Sequence, residues 1–181
     1  MDGRTDEECF RAYVEDGDRA AFTELFRRYA PILRALMARD VRQRPVVEEL
    51  VQDAFMHLHR SAADFRQGSK LRPWLMTIAL NLRRERRRRQ IRRPETQLEL
   101  DGRRDPAVWQ PPVLEQRDAA RRLNAALAAL PEGQREVIEL HWFGGLSFRE
   151  VGAAVGASTT AVKVRAHRGY QKMKSFLGRR E

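Results

Sequence analysis

Residues 147–173 read SFREVGAAVGASTTAVKVRAHRGYQKM, and this stretch decides the fold. Ser147, followed three positions later by Glu150, has the spacing of a capping box, which satisfies the first unpaired amides of a helix. Val151, Ala154 and Val155 give that helix an apolar side. Gly156 suits the left-handed residue that stops a helix, and Ser158 can cap the next one. On the second helix Val162, Ala166, Tyr170 and Met173 recur at steps of four, four and three and point inward. Thr160, Lys163 and His167 share another face, with Thr159, Arg165 and Arg168 beside it. Two short helices on a tight glycine turn, the second basic and Thr-rich outside, predict a helix-turn-helix suited to a DNA major groove. There Lys and Arg can pair with guanine edges, while Ser and Thr reach phosphates or bases. An ordinary helical hairpin with a basic outer face is the other reading of the same residues.

Upstream of this motif the pattern stays helical. Leu123, Ala126, Leu127 and Leu130 form one face of a helix that begins near Val113. Pro131 opens the next, which contains Val137, Ile138 and Leu140 and closes at Gly144-Gly145. Between 94 and 112 the period vanishes, and Pro94, Pro106, Pro111 and Pro112 mark a flexible linker. In the N-terminal half, Thr5 and Glu8 have capping-box spacing, and Asp16-Gly17-Asp18 breaks that first helix. A second helix carries Leu25, Tyr29, Leu33 and Leu36 on one side, with Phe26 in the same apolar set. A third follows Pro45 with Val47, Leu50, Val51, Ala54 and Leu58. Ser61 to Lys70 reads as a loop, and a fourth helix from Ser69 runs through Trp74, Leu75, Ile78 and Leu82 into RRERRRRQIRR at 83–93. No segment alternates as a half-buried strand does. The expected fold is all-α: two small helical domains, 1–93 and 113–181, joined by the 94–112 linker, the C-terminal one a helix-turn-helix.

Charge is distributed unevenly over this plan. The 181 residues include 35 Lys+Arg against 25 Asp+Glu, a net of +10. Residues 1–82 are neutral, 83–93 carry +7, 94–130 carry −1 and 131–181 carry +4. Two zones therefore hold the whole excess, a footprint for a polyanionic partner. On the third helix Glu49, Gln52, Asp53 and Met56 fall at i, i+3, i+4 and i+7, a stripe beside the apolar face. It reads either as a solvated acidic face or as a docking strip.

With these motifs in place the chain resembles a family. Glu48-Glu49-Leu50-Val51-Gln52-Asp53-Ala54-Phe55, then Phe65-Arg66, then Arg72-Pro73-Trp74-Leu75-Met76-Thr77-Ile78-Ala79-Leu80-Asn81 resemble two regions of bacterial RNA polymerase sigma factors, those for core binding and −10 recognition. Leu130-Pro131-Glu132-Gly133-Gln134-Arg135-Glu136-Val137 and Gly145-Leu146-Ser147-Phe148-Arg149-Glu150-Val151 resemble their −35-binding region. With only two domains and a short linker, the chain is similar to the extracytoplasmic-function (ECF) group. The resemblance implies that Glu49, Gln52, Asp53 and Met56 dock on the clamp coiled coil of core RNA polymerase, where carboxylates can pair with Arg. It implies that Phe65, Arg66, Trp74, Asn81, Arg83 and Arg84 capture −10 promoter DNA as single strand. The −35 duplex would be read by Ser158, Thr159, Thr160, Lys163, Arg165, His167 and Arg168. Phe65 reads either as the wall of a base pocket or as a core contact, and Trp74 either as a base contact or as the anchor of its helix. Leu71 and Met76 stand where the family often has aromatics, and Ala161 and Val164 where Thr and Ser are common. A dedicated anti-sigma factor is a further partner that the resemblance implies.

Other classes of function lack their residues. There is no phosphate-binding glycine loop, no GxSxG and no HExxH, so an enzyme is disfavoured and no cofactor is expected. His57 and His59, two apart on a helix, diverge and predict no metal site, and the single Cys9 reads as a half-buried small residue. The acidic start MDGRTDEECF has no secretory pattern and no apolar run is long enough to span a membrane, so a cytoplasmic protein without membrane insertion is expected. Two competing functions remain: a helix-turn-helix regulator acting without core polymerase, and a protein that keeps the fold only to bind a regulator. Neither would direct promoter-specific transcription with purified core polymerase.

Overall fold

A computed structural model describes residues 3–41, 43–66, 68–92 and 114–178, with side chains from Asp118 onward in the last stretch. Among the described residues every regular element is helical, as the periodicity predicts. The chain divides into two compact units, one ending at Asp105 and one beginning at Pro106. The 94–112 linker, Val113 and Arg93 lie outside the described residues.

The first unit is built from α1 (Asp6–Asp16), α2 (Arg19–Met37), α3 (Arg44–Arg60) and α4 (Leu71–Arg92), with a 3-10 turn at Ala62–Asp64. Thr5 starts α1 as its spacing requires: its hydroxyl accepts from the Glu8 amide at 3.2 Å, and Glu8 accepts from the Thr5 amide at 2.6 Å. Gly17 ends α1 at φ 69°, and the Asp18 carboxylate then accepts from the amides of Ala20 and Ala21 to start α2. Pro31 sits inside α2 without ending it, its ring on the exposed side. The core lies between α2, α3 and α4, where Leu25, Leu33, Val51, Leu58, Leu75 and Met76 are all buried. Phe26 departs from the expected inward set at 39% exposure, although its ring rests on Phe55 at 4.7 Å. Cys9 is fully buried, not half-buried, so its thiol is shielded.

The start of α4 differs from the sequence expectation for a physical reason. Ser69 has the chemistry of a local cap, yet the helix begins at Leu71. The Leu71 amide donates to the Glu7 carboxylate of α1 at 2.9 Å, so the cap comes from 64 residues away. Next to it Tyr29 donates to Asp6, and Arg28 pairs with Asp6 at 2.8 Å. Burial, with Asp6 as its acceptor, pushes the Tyr29 phenol well above its ordinary range. The first turn of α1 thereby ties α2 and the N-terminus of α4 together.

The second unit holds α5 (Leu114–Ala128), α6 (Glu132–Trp142), α7 (Phe148–Val155) and α8 (Thr159–Gly178). Leu127, Leu130 and Ile138 are buried, and Phe143, Tyr170 and Met173 pack against them, so the inward set expected of α8 is inward. Leu123 is the exception: at 36% exposure it stands off the face it shares in sequence with Ala126 and Leu127. Between α7 and α8 the chain turns at Gly156, φ 69°, where a side chain would be strained even though space is open. Gly156→Ala is therefore expected to destabilise the second unit by about 1–2 kcal/mol in a denaturant titration. No change would mean that the turn relaxes out of the left-handed region.

Candidate nucleic-acid interface

The helix-turn-helix forms as its sequence spells it. Ser147 Oγ accepts from the Glu150 amide at 3.3 Å and Glu150 accepts from the Ser147 amide at 2.8 Å, closing the capping box of α7. Ser158 Oγ accepts from the Ala161 amide at 3.2 Å, so this residue caps α8 and keeps its hydroxyl proton and one lone pair for a ligand.

The outer face of α8 is centred differently from the sequence reading. Val162, Ala166 and Gly169 are buried and fix the inner line. At about 100° per residue, Val164 lies about 200° round from Val162 and faces outward, 44% exposed. Thr160, His167 and Arg168 are exposed and share this outward strip with it at i−4, i+3 and i+4. Lys163 and Arg165 are exposed as well, but each is one residue from Val164, so they lie on opposite flanks. Thr159 is half-buried at the start of the helix. Sequence reasoning grouped Thr160, Lys163 and His167 and noted Val164 only as a departure from the family where Thr and Ser are common. An apolar side chain carries no signal of its own until the buried line is known.

In the first unit Glu49, Gln52, Asp53 and Met56 are all exposed on one side of α3, with Met56 at 39%. Glu48, one residue earlier, is instead drawn off that stripe by Arg34, whose Nε approaches its carboxylate at 2.8 Å. The stripe thus presents two carboxylates, an amide and a thioether.

The presumed single-strand face partly regroups. Phe65 and Trp74, both half-buried, lie 5.2 Å apart between ring centroids, and both meet the buried Phe10 edge-on at 5.1 and 5.8 Å. Both therefore act as core contacts while keeping part of each ring outside. Arg66 and Asn81 are exposed and Arg84 is half-buried. Trp74, Asn81 and Arg88 follow one another at seven-residue steps along α4, hence on one side of it.

Arg83 is a correction. It is 7% exposed, and its Nε and Nη2 donate to one Asp40 carboxylate oxygen at 2.8 and 2.5 Å. The guanidinium clamps α4 to the turn after α2 and is turned inward, away from the exposed arginines of the same helix. The signal was present in the phase: Met76, Ala79 or Leu80, and Arg83 recur at helical spacing on the buried side.

Beyond it, Arg87, Arg88, Arg89 and Arg92 are exposed on α4. Arg89 and Arg88 hydrogen-bond to Glu85 at 3.1 and 2.8 Å and hold its carboxyl below the ordinary glutamate range. These pairs are solvent-exposed and weak, so both arginines remain able to turn toward phosphate. His57 and His59 are exposed, and His59 Nδ1 hydrogen-bonds with the Tyr13 hydroxyl at 2.7 Å. Among the described residues no group of three or more His, Cys, Asp or Glu could hold a metal ion, and no helix is long and apolar enough to cross a membrane.

Comparison with known proteins matches both halves. Residues 25–93 match the family described as Sigma-70 region 2, and residues 120–173 match Sigma-70, region 4. The RNA polymerase sigma factor CarQ of Myxococcus xanthus is 37% identical over 166 residues, covering 92% of this chain and 94% of CarQ. The ECF RNA polymerase sigma factor RpoE of Cereibacter sphaeroides is 31% identical over 168 residues, covering 92% of each. The chain belongs to the ECF sigma factors.

Solved structures agree with this membership. CnrH, solved in complex with the cytosolic domain of CnrY, is 26% identical with a TM-score of 0.70, over 98% of this chain and 100% of CnrH. The sigma factor RpoE from Bartonella quintana, solved with the anti-sigma factor NepR, is 27% identical with a TM-score of 0.67, over 88% and 98%. As a member of a family of initiation factors, this sigma factor is not an enzyme. Its α1, which supplies both Glu7 and Phe10, precedes the region 2 match altogether.

Proposed function

We propose that this sigma factor binds core RNA polymerase and directs promoter-specific initiation, with residues 1–93 serving core binding, −10 recognition and melting, and residues 113–181 serving −35 recognition. The 94–112 segment links the two readers. One observation carries the reading: two cationic helical elements, on separate units, coincide in family order with the two regions that sigma factors use. The exposed stripe Glu49, Gln52, Asp53 and Met56 docks on polymerase, its carboxylates meeting cationic side chains. Phe65, Trp74 and Asn81 meet extruded bases, while Arg66, Arg84 and the exposed arginines as far as Arg92 follow the backbone. On α8, Thr160, His167 and Arg168 face base edges, with Ser158 and Thr159 at the helix start and Lys163 and Arg165 toward the groove walls.

Both solved relatives above are held by a protein partner, which supports an anti-sigma factor as the regulator of this chain too. A protein working on core polymerase and the chromosome acts in the cytoplasm. The plain regulator, acting without polymerase, leaves the region 2 half without a task.

Two substitutions test the division of labour on α8. Arg168→Ala is expected to weaken binding to the preferred −35 duplex by about 1–3 kcal/mol and to relax specificity at one position. Lys163→Ala is expected to weaken all duplexes evenly and to lower the salt dependence by about one counterion. Filter binding or anisotropy of the holoenzyme over a salt series separates them, and exchanged phenotypes would overturn the assignment.

A further inference from the structure

We propose that Val164 is a specificity-determining residue that reads the 5-methyl group of a thymine in the −35 duplex. The inference deepens the reading of α8 as a groove-inserted helix and rests on it. Val164 is 44% exposed, the centre of a strip on which Thr160, His167 and Arg168 are polar and exposed, with the small, half-buried Ala161 at its edge. Its neighbours Lys163 and Arg165 diverge to the two flanks.

A helix about 10–12 Å across fills a major groove of about 12 Å. Flanking cations then reach the phosphate walls, and the midline residue is pressed against base edges. A valine there neither donates nor accepts a hydrogen bond. Set against a guanine, adenine or unmethylated cytosine edge, it would strip water from polar groups and return nothing. The thymine methyl is the one apolar feature on the groove floor of unmodified DNA, and it is the group with which such a side chain gains by contact. The surrounding polar residues show that this outer face is not an extension of the core, so the valine is not there to fill a hydrophobic seam.

The test uses the full chain assembled with core polymerase. Preferred −35 duplexes are first selected from a random library. Each thymine of the selected element is then replaced by deoxyuridine, which removes only the methyl group. At one thymine the wild-type holoenzyme is expected to lose roughly fourfold in affinity, the worth of one buried carbon. V164S, at an exposed position, should fold normally and bind thymine and deoxyuridine duplexes equally at that site. Wild-type indifference to every deoxyuridine overturns the proposal, as does a V164S protein that keeps the full thymine preference. If the holoenzyme selects no −35 element at all, the reading of α8 itself fails. That outcome is distinct from selection without methyl dependence.

Discussion

Asp53→Lys is expected to abolish association with core RNA polymerase while leaving the fold intact. Asp53 is exposed in the middle of the α3 stripe, three residues from Met56 and adjacent to Gln52, and its side chain contributes nothing to the buried core of the first unit. Exposed substitutions of this kind change stability by about 0.5 kcal/mol or less. Binding is another matter: placing a lysine where cationic partner groups must approach turns an attraction into a repulsion worth several kcal/mol. Co-purification of tagged core polymerase with the variant reads the effect directly, with circular dichroism as the check on folding. Undiminished co-purification would remove the stripe from the docking surface and reduce it to a solvated acidic face.

Arg83→Ala should cost about 2 kcal/mol of stability in the first unit. The variant loses the charge-assisted hydrogen bonds to Asp40, a contact worth about 1.5–3 kcal/mol. The Asp40 carboxylate is not stranded, because its side chain keeps 26% of its surface in water while that of Arg83 keeps 6%. Urea denaturation of the full chain measures the loss; Asp40→Ala should lose at least as much, because the guanidinium is the buried partner, and the double variant should lose less than the sum. At temperatures where Arg83→Ala stays folded, the salt dependence of promoter binding should match that of the wild type. A stable variant with a lowered salt dependence would put Arg83 back on the DNA track.

The residues show unequally in the sequence what they do. The capping boxes at Thr5 and Ser147, the stop at Gly156 and the alternation of Val162, Ala166 and Tyr170 are local codes, and each forms as written. The α3 stripe was legible for the same reason, since helical phase alone puts Glu49, Gln52, Asp53 and Met56 on one side. Features that depend on a distant partner were not. The cap on Leu71 comes from Glu7, and although helical phase put Arg83 on the buried side, its partner Asp40 stands 43 residues earlier. Phe65 and Trp74 could not be divided between core and ligand because each packs on Phe10, from a helix outside the region 2 match, and also keeps part of its ring exposed. The inward line of Val162 and Ala166 was legible, and Gly169 completes it on the side away from Tyr170, which places Lys163 on a flank and Val164 in the middle.

The same geometry sharpens the charge balance. Of the +7 in residues 83–93, Arg83 is tied to Asp40 inside the unit, and Glu85 draws on Arg88 and Arg89 at the surface. Along the outer side of α4, Arg88 and Arg92 continue the line of Trp74 and Asn81, the surface proposed above for single-stranded DNA. That is the arrangement expected of an element that tracks a strand and holds its bases at one end.

The most direct measurement of the account is transcription-start mapping on genomic DNA with core polymerase alone and with core polymerase plus this sigma factor. The account predicts a discrete set of new starts sharing two sequence elements at a fixed spacing, lost with Asp53→Lys. Start sites identical to those of core polymerase alone, from a folded protein, would contradict it.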